Sequence, residues 1–215
     1  MTGAGKRLVV LISGRGSNLQ AIIEANRQGR LRADLAAVIS NNSGAAGLRY
    51  ARDAGIPAEV IDHRAFSTRE AFDDALQQAI DRHRPDLVVL AGFMRILGRR
   101  FIDHYVGRMI NIHPSLLPRF TGLNTHRRAI EAGAREHGAT VHFVTHDVDG
   151  GPHIIQARVP VLPDDTPESL AQRVLEQEHR IFPLAISWFC QNRLSLHNGK
   201  VLLDRAIRPE QGLSG

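Results

Sequence analysis

Residues 8–13 (LVVLIS) and 35–40 (LAAVIS) are apolar at nearly every position, the pattern of strands buried on both faces in a parallel sheet. Between them, residues 18–28 set Leu19, Ile22 and Ile23 at helical spacing, and Gly29 offers a C-terminal stop. Residues 44–54 repeat the helical type and 57–61 predict a short third strand. Ser67-Thr68-Arg69-Glu70 is a capping-box pattern. It opens a helix with Ala71, Phe72, Ala75, Leu76, Ala79 and Ile80 on one stripe, ending before Pro85. Residues 86–91 (DLVVLA) predict the fourth strand and 109–112 the fifth. The alternation predicts an α/β fold with a doubly wound, mostly parallel sheet.

Beyond this point the pattern changes. Residues 139–145 and 153–161 alternate apolar and polar positions, as half-exposed strands do, around an Asp-Gly-Gly-Pro turn. Thr166 and Pro167 supply a cap and first turn for a long helix to about residue 190, disturbed at Pro183. Residues 193–215 predict a small hairpin and a Pro/Gly-containing tail, making the C-terminal portion antiparallel. No repeat or linker interrupts the chain, so 1–215 is expected to form a single domain.

Composition narrows the function classes. The net charge is +5, yet basic residues run no longer than pairs and aromatics are 5%. That favours small anionic substrates over nucleic acid. A lone Cys190 excludes an internal disulfide and suggests a reducing compartment. No apolar run approaches the roughly 20 residues of a membrane helix, and the short glycine-rich opening has no signal-peptide pattern. A cytoplasmic protein without a membrane partner is expected.

Two fragments carry the chemistry: Asn111-Ile112-His113-Pro114-Ser115, and Asp147-Val148-Asp149-Gly150-Gly151-Pro152. An amide that can bind an oxyanion, an imidazole that can carry a proton and a carboxylate that can hold it charged are parts of an acyl-transfer site. No serine or cysteine nucleophile accompanies them in a recognisable setting, so the substrate is expected to bring its own. Ser13-Gly14-Arg15-Gly16-Ser17-Asn18 lies between the first strand and first helix, where backbone N–H groups bind phosphate. Leu19 and Asn41-Asn42 depart from the dinucleotide pattern, so a monophosphate fits better. His142 and His146 stand four apart, but on a strand that spacing gives no helical metal face; no metal is expected.

Together VVLISGRGSNLQAII, VVLAGFMRIL, NIHPSLLPRFTGLNTHRRAIEAG, HGATVHFVTHDVDGGPHIIQ and QEHRIFPLAISWF resemble the phosphoribosylglycinamide formyltransferases of purine synthesis. The resemblance runs from Leu8 to about Pro209. It implies the formyltransferase fold, with a phosphate-binding half over about 7–105 and a catalytic and folate half over about 106–209. It also implies formyl transfer from 10-formyltetrahydrofolate to the amine of glycinamide ribonucleotide, by a monomer or homodimer. Asn111, His113 and Asp149 match the catalytic places. Gly16, Ser17 and Asn18 match the substrate-phosphate loop, and Glu178 a ribose-hydroxyl ligand. The reduced folate is implied against Arg69, Met94, Arg95, Ile96, Leu97 and Asn111, with Thr145, His146, Asp147, Val148 and Asp149 closing on its pterin. Leu175 departs from the polar neighbour expected there. Methionyl-tRNA formyltransferase and formyltetrahydrofolate deformylase share the Asn-x-His and Asp-Gly residues. The first is expected to carry an additional C-terminal domain and the second an N-terminal one. A folate- or nucleotide-binding protein without turnover is an alternative of another class, and a Rossmann oxidoreductase is disfavoured by Leu19 and Asn41-Asn42.

Overall fold

The apolar runs become buried strands of a sheet. The structure, a computed structural model, describes residues 5–207 and 212–214. It divides into two compact units, Met1–Ile110 and Asn111–Gly215. The fold is α/β, doubly wound and mostly parallel, with an antiparallel C-terminal portion.

The first unit contains β1 (Lys6–Ile12), α1 (Ser17–Arg27), β2 (Ala33–Ser40), α2 (Gly47–Asp53), β3 (Ala58–Val60), α3 (Arg69–Arg82), β4 (Leu87–Leu90) and α4 (Arg99–His104). Its strands lie in the order β4-β1-β2-β3, all parallel. From Leu8 to Ile12, β1 is fully buried, which explains a run without polar interruption. The chain moves outward from β1 to β3 and returns on the other side as β4. The ends of β1 and β4 therefore flank a reversal of strand order, where open sheets bind ligands.

The second unit continues from β5 (Met109–His113), within which the unit boundary falls, through α5 (Thr125–Glu131), β6 (Glu136–Phe143), β7 (His153–Pro160) and α6 (Pro167–Cys190). Next come β8 (Leu194–His197), β9 (Lys200–Leu203), β10 (Ala206–Ile207) and β11 (Gly212–Ser214). β6 and β7 pair antiparallel, and β11 joins β7 in parallel. The expected hairpin is β8–β9, turning at Asn198 and Gly199, both with positive φ; β10 adds a third antiparallel strand. The expected tail lies outside the described residues except for the backbone of β11, as do residues 1–4 of the opening. Among the described residues no helix is long and apolar enough to cross a membrane.

Several local expectations change. The cap of α3 is Thr68, whose Oγ1 accepts the Ala71 N–H at 3.1 Å, one residue beyond the predicted Ser67. Helix α6 runs unbroken through Pro183, because buried Ile181, Phe182, Ala185 and Ile186 hold that segment by packing. β6 starts at Glu136, and only its first residue is exposed. Its polar positions are interior groups rather than a solvated face.

Candidate active site

Asn111 and His113 are two residues apart on β5 and so share one face of the strand. Past the strand the chain folds back. Thr140 Oγ1 on β6 donates to Ser115 O at 2.7 Å and accepts from Leu117 N and Gln156 Nε2 at 3.1 and 2.9 Å. This buried hydroxyl fixes the first turn after β5, and Ser115 Oγ donates to Arg119 O at 2.7 Å to fix the next. Phe120 O is thereby placed 3.0 Å from His113 Nε2.

Asp149 reaches the other side of the ring. The turn from Asp147 to Gly150 closes through Gly150 N to Asp147 O at 3.0 Å, with Asp149 at φ 55°. Gly151 permits the return into β7, since a Cβ there would lie 1.8 Å from Phe143 O. Asp149 Oδ2 comes to 3.4 Å from His113 Nδ1 and accepts the Gly122 N–H at 2.9 Å. Both side chains are nearly buried. Both nitrogens of His113 thus face acceptors, and a ring with hydrogen on both can donate to both.

His142 joins this group, although its spacing to His146 suggested only a rejected metal site. The pairing of β6 and β7 shifts register between Val141 and His142, and such an irregularity re-aims the side chain beside it. His142 Nδ1 donates to Phe143 O at 3.0 Å. In the neutral ring Nε2 is then an acceptor, and it takes the Asn111 Nδ2–H at 3.3 Å. Burial pushes the His142 pKa down from 6.5 to about 4, so neutrality is the state this environment favours. Asn111 therefore keeps one N–H for a ligand. Sequence reasoning missed this role because β6 to β5 proximity has no sequence spacing.

His137, fully buried on β6 against the rings of His126 and Phe120, is likewise pushed by burial to about 4. An unfolded chain would protonate both histidines near pH 6.5, whereas the folded chain holds them neutral to about pH 4. Their contribution is complete above about pH 6.5 and is lost on acidification toward pH 4. The urea midpoint should fall across that window, with each group adding at most about 1.4 kcal/mol per pH unit. A midpoint constant from pH 7 to 4 in the wild type would remove both groups as the cause, and an equal fall in His137→Phe would remove His137.

In the first unit, Gly16 caps α1 at φ 78° and lies against Gly47, so that a Cβ on Gly16 would meet Gly47 Cα at 2.5 Å. Gly47 N donates to Gly14 O at 3.0 Å. The start of α2 thus buttresses the turn that carries Gly16, Ser17 and Asn18, a support not anticipated from sequence. No acidic residue occupies the first turn of α1, which leaves the helix dipole uncompensated toward an anion.

The other expected site residues are distributed between the units. Arg69 opens α3 and is exposed. In the irregular segment after β4, Met94 and Ile96 are 70% and 63% exposed with exposed Arg95 between them, whereas Leu97 is buried at 7%. In the second unit Glu178 is buried on α6; Thr145 is half-buried, and His146, Asp147 and Val148 are exposed around the turn. Met94 and Ile96 in the first unit and Val148 in the second are exposed apolar side chains. Among the described residues no group of three or more His, Cys, Asp or Glu is placed to hold a metal ion.

Residues 6–186 match the formyl transferase family. The phosphoribosylglycinamide formyltransferase of Escherichia coli K12 is 53% identical over 205 residues, covering 95% of this chain and 97% of that protein. The phosphoribosylglycinamide formyltransferase of Haemophilus influenzae is 47% identical over 207 residues, covering 96% and 98%. The solved structure of the Coxiella burnetii phosphoribosylglycinamide formyltransferase superposes with a TM-score of 0.93 at 53% identity, covering 98% of this chain and 99% of that one. With the family matched over most of its length and relatives similar from end to end, the chain belongs to the formyl transferase family.

Proposed function

We propose that the protein transfers the formyl group of 10-formyltetrahydrofolate to the amine of glycinamide ribonucleotide. The observation that carries this reading is the convergence of Asn111, His113 and Asp149, supported by the end-to-end likeness to enzymes named for that acceptor. In this reaction the amine nitrogen bonds to the formyl carbon and the carbon–N10 bond of the donor breaks. One proton leaves the amine and one reaches N10, through His113, Asp149 or an ordered water. The Asn111 N–H not given to His142 would donate to the oxygen that becomes negative in the tetrahedral intermediate. The His113 ring, between Phe120 O and Asp149 Oδ2, would stand beside it.

The acceptor phosphate is assigned to Gly16, Ser17 and Asn18, and its ribose to Glu178. The folate is assigned to Arg69, Met94, Arg95, Ile96, Leu97 and the residues from Thr145 to Asp149. Single-domain action of the whole chain, a cytoplasmic location, a monomer or homodimer, and no nucleic-acid, membrane or metal partner belong to the same reading.

The deciding experiment follows folate absorbance for purified protein with 10-formyltetrahydrofolate, with and without glycinamide ribonucleotide. Acceptor-dependent turnover supports the transferase. Folate release without acceptor makes the protein a deformylase, and binding without turnover makes it a carrier. Ser17→Ala with Asn18→Ala should raise the acceptor KM about tenfold or more, as expected for a lost charge-assisted hydrogen bond, and the donor KM less than about twofold. Equal weakening of both substrates would refute the phosphate assignment.

A further inference from the structure

A single hydroxyl joins the loops that follow three neighbouring strands of the first unit. Ser13, the residue after β1, donates from Oγ to Asn41 Oδ1 at 2.6 Å, and Asn41 is the residue after β2. The same Oγ accepts the Met94 N–H at 2.7 Å, four residues after the end of β4. Ser13 has one proton to give and gives it to the buried Asn41 amide, whose Nδ2 lies 3.1 Å from His63 Nδ1. The oxygen is thereby turned toward Met94.

This matters because the segment over residues 92–98 has no ladder of its own. Ala91 N donates to Leu11 O at 2.9 Å, Met94 N to Ser13 Oγ, and Gly98 N to Asp73 Oδ2 at 2.7 Å. Met94, Arg95 and Ile96 are exposed between the buried side chains of Phe93 and Leu97. They are therefore held in place by a hydroxyl at one end and a buried carboxylate at the other. The hydroxyl also belongs to the residue that begins the Gly14–Gly16 turn.

The geometry points to Ser13 as a positioning residue that fastens the folate-facing segment at Met94 to the glycine turn, setting affinity for the formyl donor rather than the rate of transfer. The kinetic part of this inference rests on the proposed function; the fastening itself does not. Without the hydroxyl, Met94 to Ile96 must be ordered by the ligand, and that ordering weakens binding. Gly14 O keeps the Gly47 N–H and Gly16 its packing against Gly47, so acceptor binding is spared.

Ser13→Ala and Ser13→Thr should be compared with the wild type by amide hydrogen exchange and by steady-state kinetics. In Ser13→Ala the Met94 amide should exchange about tenfold faster and Gly98 little faster, since its acceptor is intact. The donor KM should rise about tenfold, with kcat and acceptor KM within about threefold. Ser13→Thr, which retains the hydroxyl, should return both readings toward wild type. Ser13→Cys, close in size but a weak hydrogen-bonding group, gives the same comparison if the alanine variant does not fold. Unchanged Met94 exchange, or a joint rise of both KM values with a lower Tm, overturns the inference. If the wild type does not transfer formyl groups, the functional reading fails and Met94 exchange alone decides the fastening.

Discussion

Replacing His113 by alanine is expected to lower kcat by roughly a thousandfold, within the range for removal of a positioned acid–base group. The size of the effect follows from the ring's placement between Phe120 O at 3.0 Å and Asp149 Oδ2 at 3.4 Å. Each neighbour accepts, so the ring can carry positive charge where the formyl oxygen becomes negative. Alanine removes the ring that the proposed mechanism uses there. Asp149 keeps the Gly122 N–H and the Asp147–Gly150 turn keeps its own closure, so the loop should hold its shape. Substrate Kd values should remain within about threefold, because the lost interaction acts mainly in the transition state. His113→Ala with kcat within tenfold of wild type, at an unchanged far-ultraviolet spectrum, would remove this residue from the chemistry.

Much of the fold was legible because its central strands are buried on both faces. Runs such as residues 8–12 and 87–90 admit no polar side chain, so they stand out without any partner being known. Helices α4 and α5 were not legible. At six and seven residues they are too short to show a period, and α5 follows a residue, Asn124, in the left-handed region. Such helices form because tertiary packing of Phe101, Ile102 and Ala129 holds them, not because local propensity does.

The site divides along the same line. Asn111, His113 and Asp149 stand out in the sequence as a combination of distinct chemical groups with glycines after the carboxylate, and the structure brings His113 and Asp149 to 3.4 Å. Thr140 and His142 were misread, because on β6 they made the alternation of a half-exposed strand. Both are buried and satisfied: Thr140 by Ser115, Leu117 and Gln156, and His142 by Phe143 and Asn111. A polar residue in a strand has two explanations, water or a partner, and only the fold decides between them. Ser13 is the corresponding case in the first unit. As a lone serine after a strand it carries no signal, and its meaning comes from Asn41 and Met94 arriving at the same oxygen.

The second large effect should come from Asn111, and it should be shared with His142. Removing one donor to a developing oxyanion costs roughly a hundred- to a thousandfold in kcat, which sets the expectation for Asn111→Ala. His142→Phe keeps a flat ring of similar shape in a buried place but deletes the Nε2 acceptor that takes the Asn111 N–H at 3.3 Å. The amide can then rotate, and its free N–H no longer points to one place. A loss of roughly ten- to a hundredfold in kcat follows, smaller than for Asn111→Ala because the donor survives and only its aim is lost. Since His142 acts through Asn111, the double variant should be about as slow as Asn111→Ala alone, a coupling that a double-mutant cycle reads directly. Additive losses would mean that His142 contributes separately from the amide. Full activity in His142→Phe would mean that Asn111 is aimed by its own strand, and the 3.3 Å contact would then have no part in the reaction.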